Sequence, residues 1–275
     1  MAFIKAVVDP ISGTPSPYGL LGGCVEVVTA TDPHELGGTT FQPISCSTAY
    51  RWIDPCVDPT VPAAPKVFDR PGVCEFEAIT VQAGFLCSAV GTTYEEGRER
   101  ALEQLRLGEQ RALEEAFMAQ MCDMAAGNDL TPATGAVSAA QGVAILEGFL
   151  AESYGGAGLI HAPAAAAALF GCCNVVTRTR DDRCPETLFG SGVVFGAGYS
   201  ANIGGAGCIQ APAGEAWLYV TPPVRVRRDE RYIVPDSEGA SVNIRNNDRR
   251  ILSETNFVVE VACCTAAAVR IALCC

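Results

Sequence analysis

Between residues 92 and 121 apolar side chains recur at helical spacing. Leu102, Leu105, Ala112, Leu113, Ala116, Phe117 and Met121 fall on one side, and Glu99, Glu103, Arg106 and Glu114 on the other. Thr92 or Thr93 can cap the start, Glu95 and Glu96 suit the first turn, and Glu96–Arg100 is an i,i+4 pair. A helix of that length runs about 40 Å, which makes it either a spine along the molecule or a long amphipathic core helix. A second helical tract, Ser138 to Tyr154, carries Val143, Ile145, Leu146, Phe149 and Leu150 and stops at Gly155-Gly156. Leu159-Ile160-His161-Ala162-Pro163 then leads into a short alanine-rich helix over Ala164–Phe170.

Elsewhere the pattern is that of strands and turns. Residues 1–45 are rich in Pro, Gly and Thr around one apolar stretch, Cys24–Val28, and read as an extended arm. Residues 46–90 hold strand-like runs at Thr48–Ile53, Lys66–Phe68 and Phe76–Cys87. The proline-heavy tip between the first two, residues 54–65, cannot be a central strand. Further strands are expected at Gly192–Gly196, Ala216–Val220 and Val224–Arg227, and two in the tail at Asn256–Val261 and Ala266–Leu273. Helices and strands mix without regular β–α alternation, so the class is α+β.

Composition narrows the function. With 275 residues and 49% hydrophobic content, the chain can build a large core. Only 18% of residues are charged, too few to cover a surface easily, which points to surface shared with other subunits. A net charge of −12 disfavours a nucleic-acid reader. Of the 19 basic residues only Lys5 and Lys66 are lysine, and arginine's planar fork suits fixed pairs between subunits. No transmembrane run or secretory leader is visible, so folding in a cytoplasm is expected. On that expectation the fourteen cysteines read as buried structural thiols, with disulfides after release from the cell as the alternative.

Little catalytic chemistry stands out. His34 and His161 are the only histidines; His34 lies in a turn-rich arm, and His161 is placed to bond backbone at the start of the next helix. The cysteines occur singly or as the adjacent pairs Cys172-Cys173, Cys263-Cys264 and Cys274-Cys275. No C-x-x-C offers a zinc site. Gly196-Ala197-Gly198-Tyr199-Ser200-Ala201 matches a dinucleotide fingerprint, but the following Asn202–Gly207 cannot form the helix that fingerprint requires. No catalytic, cofactor or metal site is assigned.

Several segments nevertheless have a familiar order. They are Lys66–Pro71, Gly108–Ala112 with Ala116-Phe117, Tyr154-Gly155-Gly156 through Ile160–Pro163, Val193–Tyr199, and Ala216–Arg227. In these the chain resembles major capsid proteins of tailed bacteriophages, particularly those of actinobacterial phages. The resemblance covers most of the chain from about residue 45 onward. It implies the Hong Kong 97-type capsid fold, shared with encapsulins. Residues 1–45 would then be the N-terminal arm, 46–81 the extended loop, 82–124 and 241–275 the peripheral domain with its spine helix, and 125–240 the axial domain.

The resemblance further implies assembly rather than catalysis. Pentamers and hexamers would close an icosahedral virion head around double-stranded DNA, bound non-specifically. Scaffold, portal and decoration proteins are the implied partners, with no membrane, and the scaffold is separate or absent. Some proteins of this fold join a loop lysine to an asparagine by an isopeptide bond. Lys66 and Asn246, Asn247 or Asn256 are the matching positions here, against the plainer reading of Lys66 as a surface or ion-pairing residue. An encapsulin-like cargo shell, another virion structural protein and a thiol enzyme are the competing functions.

Overall fold

A computed structural model describes residues 11–44, 46, 49–52, 60, 65–68, 70, 72–176, 183–199, 203–204 and 208–273. In chain order its strands and helices are β1 (Glu26–Thr29), β2 (Thr39–Phe41), β3 (Cys74–Phe76), β4 (Ala78–Ser88), α1 (Tyr94–Met124), α2 (Ala139–Ser153), β5 (Leu159–Pro163), α3 (Ala167–Cys172), β6 (Gly192–Gly196), β7 (Ile203–Gly204), β8 (Ile209–Gln210), β9 (Glu215–Thr221), β10 (Val224–Arg228), β11 (Tyr232–Val234), β12 (Val242–Asn243), β13 (Asp248–Val261) and β14 (Ala267–Ala272). The α+β expectation holds, and so does the long helix.

Helix α1 starts where its cap chemistry says it should. The Thr93 hydroxyl accepts the Glu96 amide, and the Glu96 carboxylate accepts the Thr93 amide, a reciprocal cap. That geometry turns Glu96 back along the chain and Arg100 lies over the Phe85 ring; the bonds with Thr93 and, to a smaller extent, the Arg100 charge of the expected i,i+4 pair lower the Glu96 pKa. Helix α2 repeats the device with Ser138 and Gln141.

Strand β13 organises one sheet. It pairs with β10, β11 and β12, and along its length with β4 from Asp248↔Ser88 to Val258↔Ala78, while β1 adds in parallel to β10. Thus the first tail strand begins eight residues before the expected Asn256. The run predicted at Phe76–Cys87 is interrupted at Glu77 into β3 and β4. Lys66–Phe68 and the described part of Thr48–Ile53 are not strands.

A second sheet, in the order β14-β9-β5-β6, lies between helices. On β9, Ala216, Leu218 and Val220 face one core with Val143, Leu146 and Leu150 of α2 and Phe170 of α3. Trp217 and Tyr219 face the other core with Leu113, Phe117 and Met121 of α1. Burial on both faces explains why this strand reads as an unbroken apolar run.

The cysteines overturn the expectation of buried free thiols. Cys24–Cys184, Cys46–Cys263, Cys74–Cys264 and Cys122–Cys208 are disulfides. Cys87 is free and half-buried, and the adjacent Cys172 and Cys173 are free and exposed rather than packed in the core. Spacing along the chain misleads here because the bridges span 86 to 217 residues, so no local pattern announces them. Cys56, Cys274 and Cys275 lie outside the described residues.

Candidate assembly interface

The arm is tied to the edge of α1. Ser12 donates to Glu103 at 2.5 Å, Arg106 donates to the Gly13 carbonyl at 3.1 Å, and Gln110 donates to the Ser16 carbonyl at 3.1 Å. Glu114 accepts the Leu20 amide at 2.9 Å. Residues 103, 106, 110 and 114 are spaced by three or four, so they form one ridge along the helix. The arm crosses it closely: a Cβ on Gly19 would lie 2.0 Å from the Gln110 side chain.

Glu114 was expected on the exposed side of the helix, yet it is fully buried. Its other carboxylate oxygen accepts the Gly198 amide at 2.8 Å, so one side chain joins spine, arm and glycine-rich segment. Gly198 permits this because a Cβ there would sit 2.2 Å from the Arg111 carbonyl. Burial pushes the Glu114 carboxyl above the ordinary carboxylate range, while amide bonds from Gly198, Leu20 and Ala197 oppose that shift. By contrast Arg106 and Ser12 hold the carboxyl of Glu103, at the helix surface, down to about 2.

His161 is buried beneath this junction and bonds side chains, not the backbone expected from its position. Its Nδ1 meets the Tyr199 hydroxyl at 3.0 Å and its Nε2 the Thr221 hydroxyl at 2.9 Å. Desolvation lowers its pKa to about 3, so the ring is neutral and one nitrogen donates while the other accepts. With only 1% of its surface exposed, it locks packing and reaches no substrate. His34, exposed on the arm, bonds Asp32 at 2.8 Å. Tyr199 serves that lock and Gly198 the Glu114 junction, while Ser200 and Ala201 of the fingerprint-like segment lie outside the described residues. Among the described residues no three His, Cys, Asp or Glu side chains group around a metal site, and no helix is long and apolar enough to cross a membrane.

The arginines were expected to reach between subunits, but several are committed within the chain. Arg225 pairs with Glu26 at 2.7 Å, Arg227 with Glu260 at 2.7 Å and Glu35 at 3.2 Å, and Arg270 with Glu215 at 3.1 Å. Arg231 grips the buried Glu109 through two nitrogens at 2.5 and 2.8 Å. Several large apolar side chains are left uncovered as well. Ile44, Phe68, Leu188 and Ile244 are each at least 90% exposed. They lie on connections rather than on the packed faces of the sheets.

The positions matched to a crosslink are distributed as follows. The Lys66 ammonium sits 4.9 Å over the Trp52 ring. Asn246 bonds Asp248, Asn247 occupies a left-handed turn position at φ 59°, and Asn256 accepts from Thr80 at 2.7 Å within the β4–β13 ladder.

No protein-family model matches the chain, and no curated protein matches it either. Solved structures do match, over nearly the whole length. The capsid of an empty GTA particle aligns with TM-score 0.54 and 10% identity, covering 98% of this chain and 95% of that one. A protein of Microbacterium phage Oxtober96 aligns with TM-score 0.53 and 11% identity, again covering 98% and 95%. The chain has the Hong Kong 97-type capsid fold. The holo-SrpI encapsulin complex from Synechococcus elongatus PCC 7942 shares this capsid fold at TM-score 0.51 and 11% identity, covering 97% and 93%. In the capsid fold α1 holds the place of the long helix, and the arm contacts above brace it within one subunit.

Proposed function

We propose that this protein is the structural subunit of an icosahedral phage head, assembling as pentamers and hexamers around double-stranded DNA, and that it is not an enzyme. The observation that carries this reading is the end-to-end match to phage and capsid structures. Exposed apolar side chains on the connections and the low charge content support it, since neighbouring copies would cover them. In this reading residues 1–45 are the arm, 46–81 the extended loop, 82–124 and 241–275 the peripheral domain and 125–240 the axial domain. The axial domains cluster into capsomers, and the loop and arm reach neighbours. Scaffold, portal and decoration proteins are its partners, and the virion is its destination. Lys66 acts as a surface residue on Trp52; the isopeptide alternative would join it to Asn246, Asn247 or Asn256.

A cargo-enclosing shell is the second reading, favoured by the encapsulin match at similar coverage. Electron microscopy of the expressed protein after a sizing column tests both. Closed icosahedral particles, or free pentamers and hexamers, are expected, and packaged DNA rather than protein distinguishes the head from the cargo shell. A monomer or dimer that never assembles would overturn the shell reading.

A further inference from the structure

Two of the four disulfides among the described residues share an unusual arrangement. Cys46 and Cys74 stand at the two ends of the segment 47–73, and their partners Cys263 and Cys264 are adjacent in the turn between β13 and β14. The residues that flank this segment are therefore both fastened to a single turn of the fold. The turn is shaped for the task. Cys264 has φ 46°, a left-handed conformation that cysteine seldom adopts, and its amide closes the turn onto the Val261 carbonyl at 3.3 Å. The same unusual backbone recurs at Cys208, at φ 53°, which is bonded to Cys122.

Apart from these bonds the Cys74 side is held by a short ladder, with Cys74 and Phe76 buried in the core and Phe41 stacked on Phe76. Cys74 lies in the three-residue strand β3, whose ladder partner among the described residues is the equally short β2, through Thr39↔Phe76, Thr40↔Glu75 and Phe41↔Cys74. A two-stranded ladder of that size is marginal by itself. The bridges consequently add most where the hydrogen-bonded framework is thinnest.

We infer that Cys46, Cys74, Cys263 and Cys264 form a redox latch, which leaves the base of segment 47–73 loose while the thiols are reduced and fixes it to the β13–β14 turn when they are oxidised. The oxidant class is a low-molecular-weight disulfide such as oxidised glutathione. A protein thiolate attacks it, releases one small thiol and leaves a mixed disulfide. The partner thiolate then attacks that mixed disulfide and releases the second small thiol. Two protein thiols are oxidised to one disulfide, one small disulfide is reduced to two thiols, and the protein's two protons leave on them.

The latch is a property of the single subunit, so its test is independent of the shell reading. Full-length unassembled protein is reduced with a phosphine, oxidised with glutathione disulfide, alkylated and mapped by mass spectrometry. Linked peptides 46–263 and 74–264 are expected. Cys74→Ser should retain glutathione on Cys264, which then has no partner to resolve it. Amide exchange of Thr39–Phe41 and Cys74–Phe76 should slow at least tenfold on oxidation of the wild type. It should stay at the reduced rate in oxidised C263S/C264S, where the other two bridges still close. Links joining other pairs, or unchanged exchange in the wild type, would overturn the latch.

Discussion

The Glu114 carboxylate accepts the Gly198 amide at 2.8 Å across 84 positions of chain, and its second oxygen accepts the Leu20 amide from the arm. Removing it leaves two buried N–H groups without partners. Glu114→Ala is expected to cost about 2–5 kcal/mol in urea denaturation. Glu114→Gln should cost less but still destabilise, since its amide nitrogen would face one of those donors. Because burial raises this carboxyl's pKa, the native chain binds the proton more tightly than the unfolded chain. The Glu114 contribution is therefore fully present below the unfolded value of about 4.5 and declines as pH rises through the raised native value. A wild-type-minus-Gln difference without that slope would refute the assignment.

His161 titrates in the opposite sense. Its native pKa is about 3 against 6.5 in an open chain, so between those values the unfolded chain takes up a proton that the native chain refuses. Stability is expected to fall as pH drops from 6.5 towards 3, with a full effect of order 5 kcal/mol. Comparing wild type with His161→Gln at about pH 7 and about pH 5 isolates this residue from the carboxylates. An equal difference at both values would contradict the buried neutral ring.

The pair Arg231–Glu109 joins the chain just before β11 to the spine helix. Arg231→Met strands a buried carboxylate and should lower stability by about 3 kcal/mol, whereas the double change with Glu109→Met should recover most of the loss. Chemical denaturation of the four proteins in the cycle measures the coupling. A coupling near zero would show that the two side chains do not depend on one another.

Leu188, 95% exposed on the turn before β6, tests assembly separately from folding. Leu188→Asp should leave the subunit's thermal midpoint within about 1 °C, because surface changes of this kind cost under about 0.5 kcal/mol. On the shell reading it should also reduce the yield of closed particles seen by light scattering. Normal particle yield would remove this turn from the interface.

How far the sequence could be read depended on the range of each signal. The spine helix was legible because its cap and its apolar spacing are local, and Thr93 and Glu96 fix its start. β9 was legible as an apolar run. Glu114 was not, since the buried arc of α1 changes along its length. Gly97, Ala101, Leu105 and Glu109 are buried on one side, but beyond Leu113 the arm and the glycine-rich segment cover the side expected to be wet. The disulfides were equally invisible, because their partners meet only after the chain has folded. The β13–β4 ladder was foreshortened because its first residues, Asp248-Arg249-Arg250, are too polar to look like a strand.

That change along α1 divides the helix mechanically. Its second half is clasped by residues 16–20 and the segment around Gly198, while its first half rests on β4 and β13 with lighter ties from Glu103 to Ser12 and from Tyr94 to the Pro235 carbonyl. Gly108, with no atom placed to crowd a side chain, stands at the boundary, where a helix-interior glycine costs about 1 kcal/mol relative to alanine. The helix is a beam clamped firmly at one end and lightly at the other. A load on the Tyr94 end would strain the Tyr94–Pro235 and Ser12–Glu103 bonds before it reached the buried Glu114 junction.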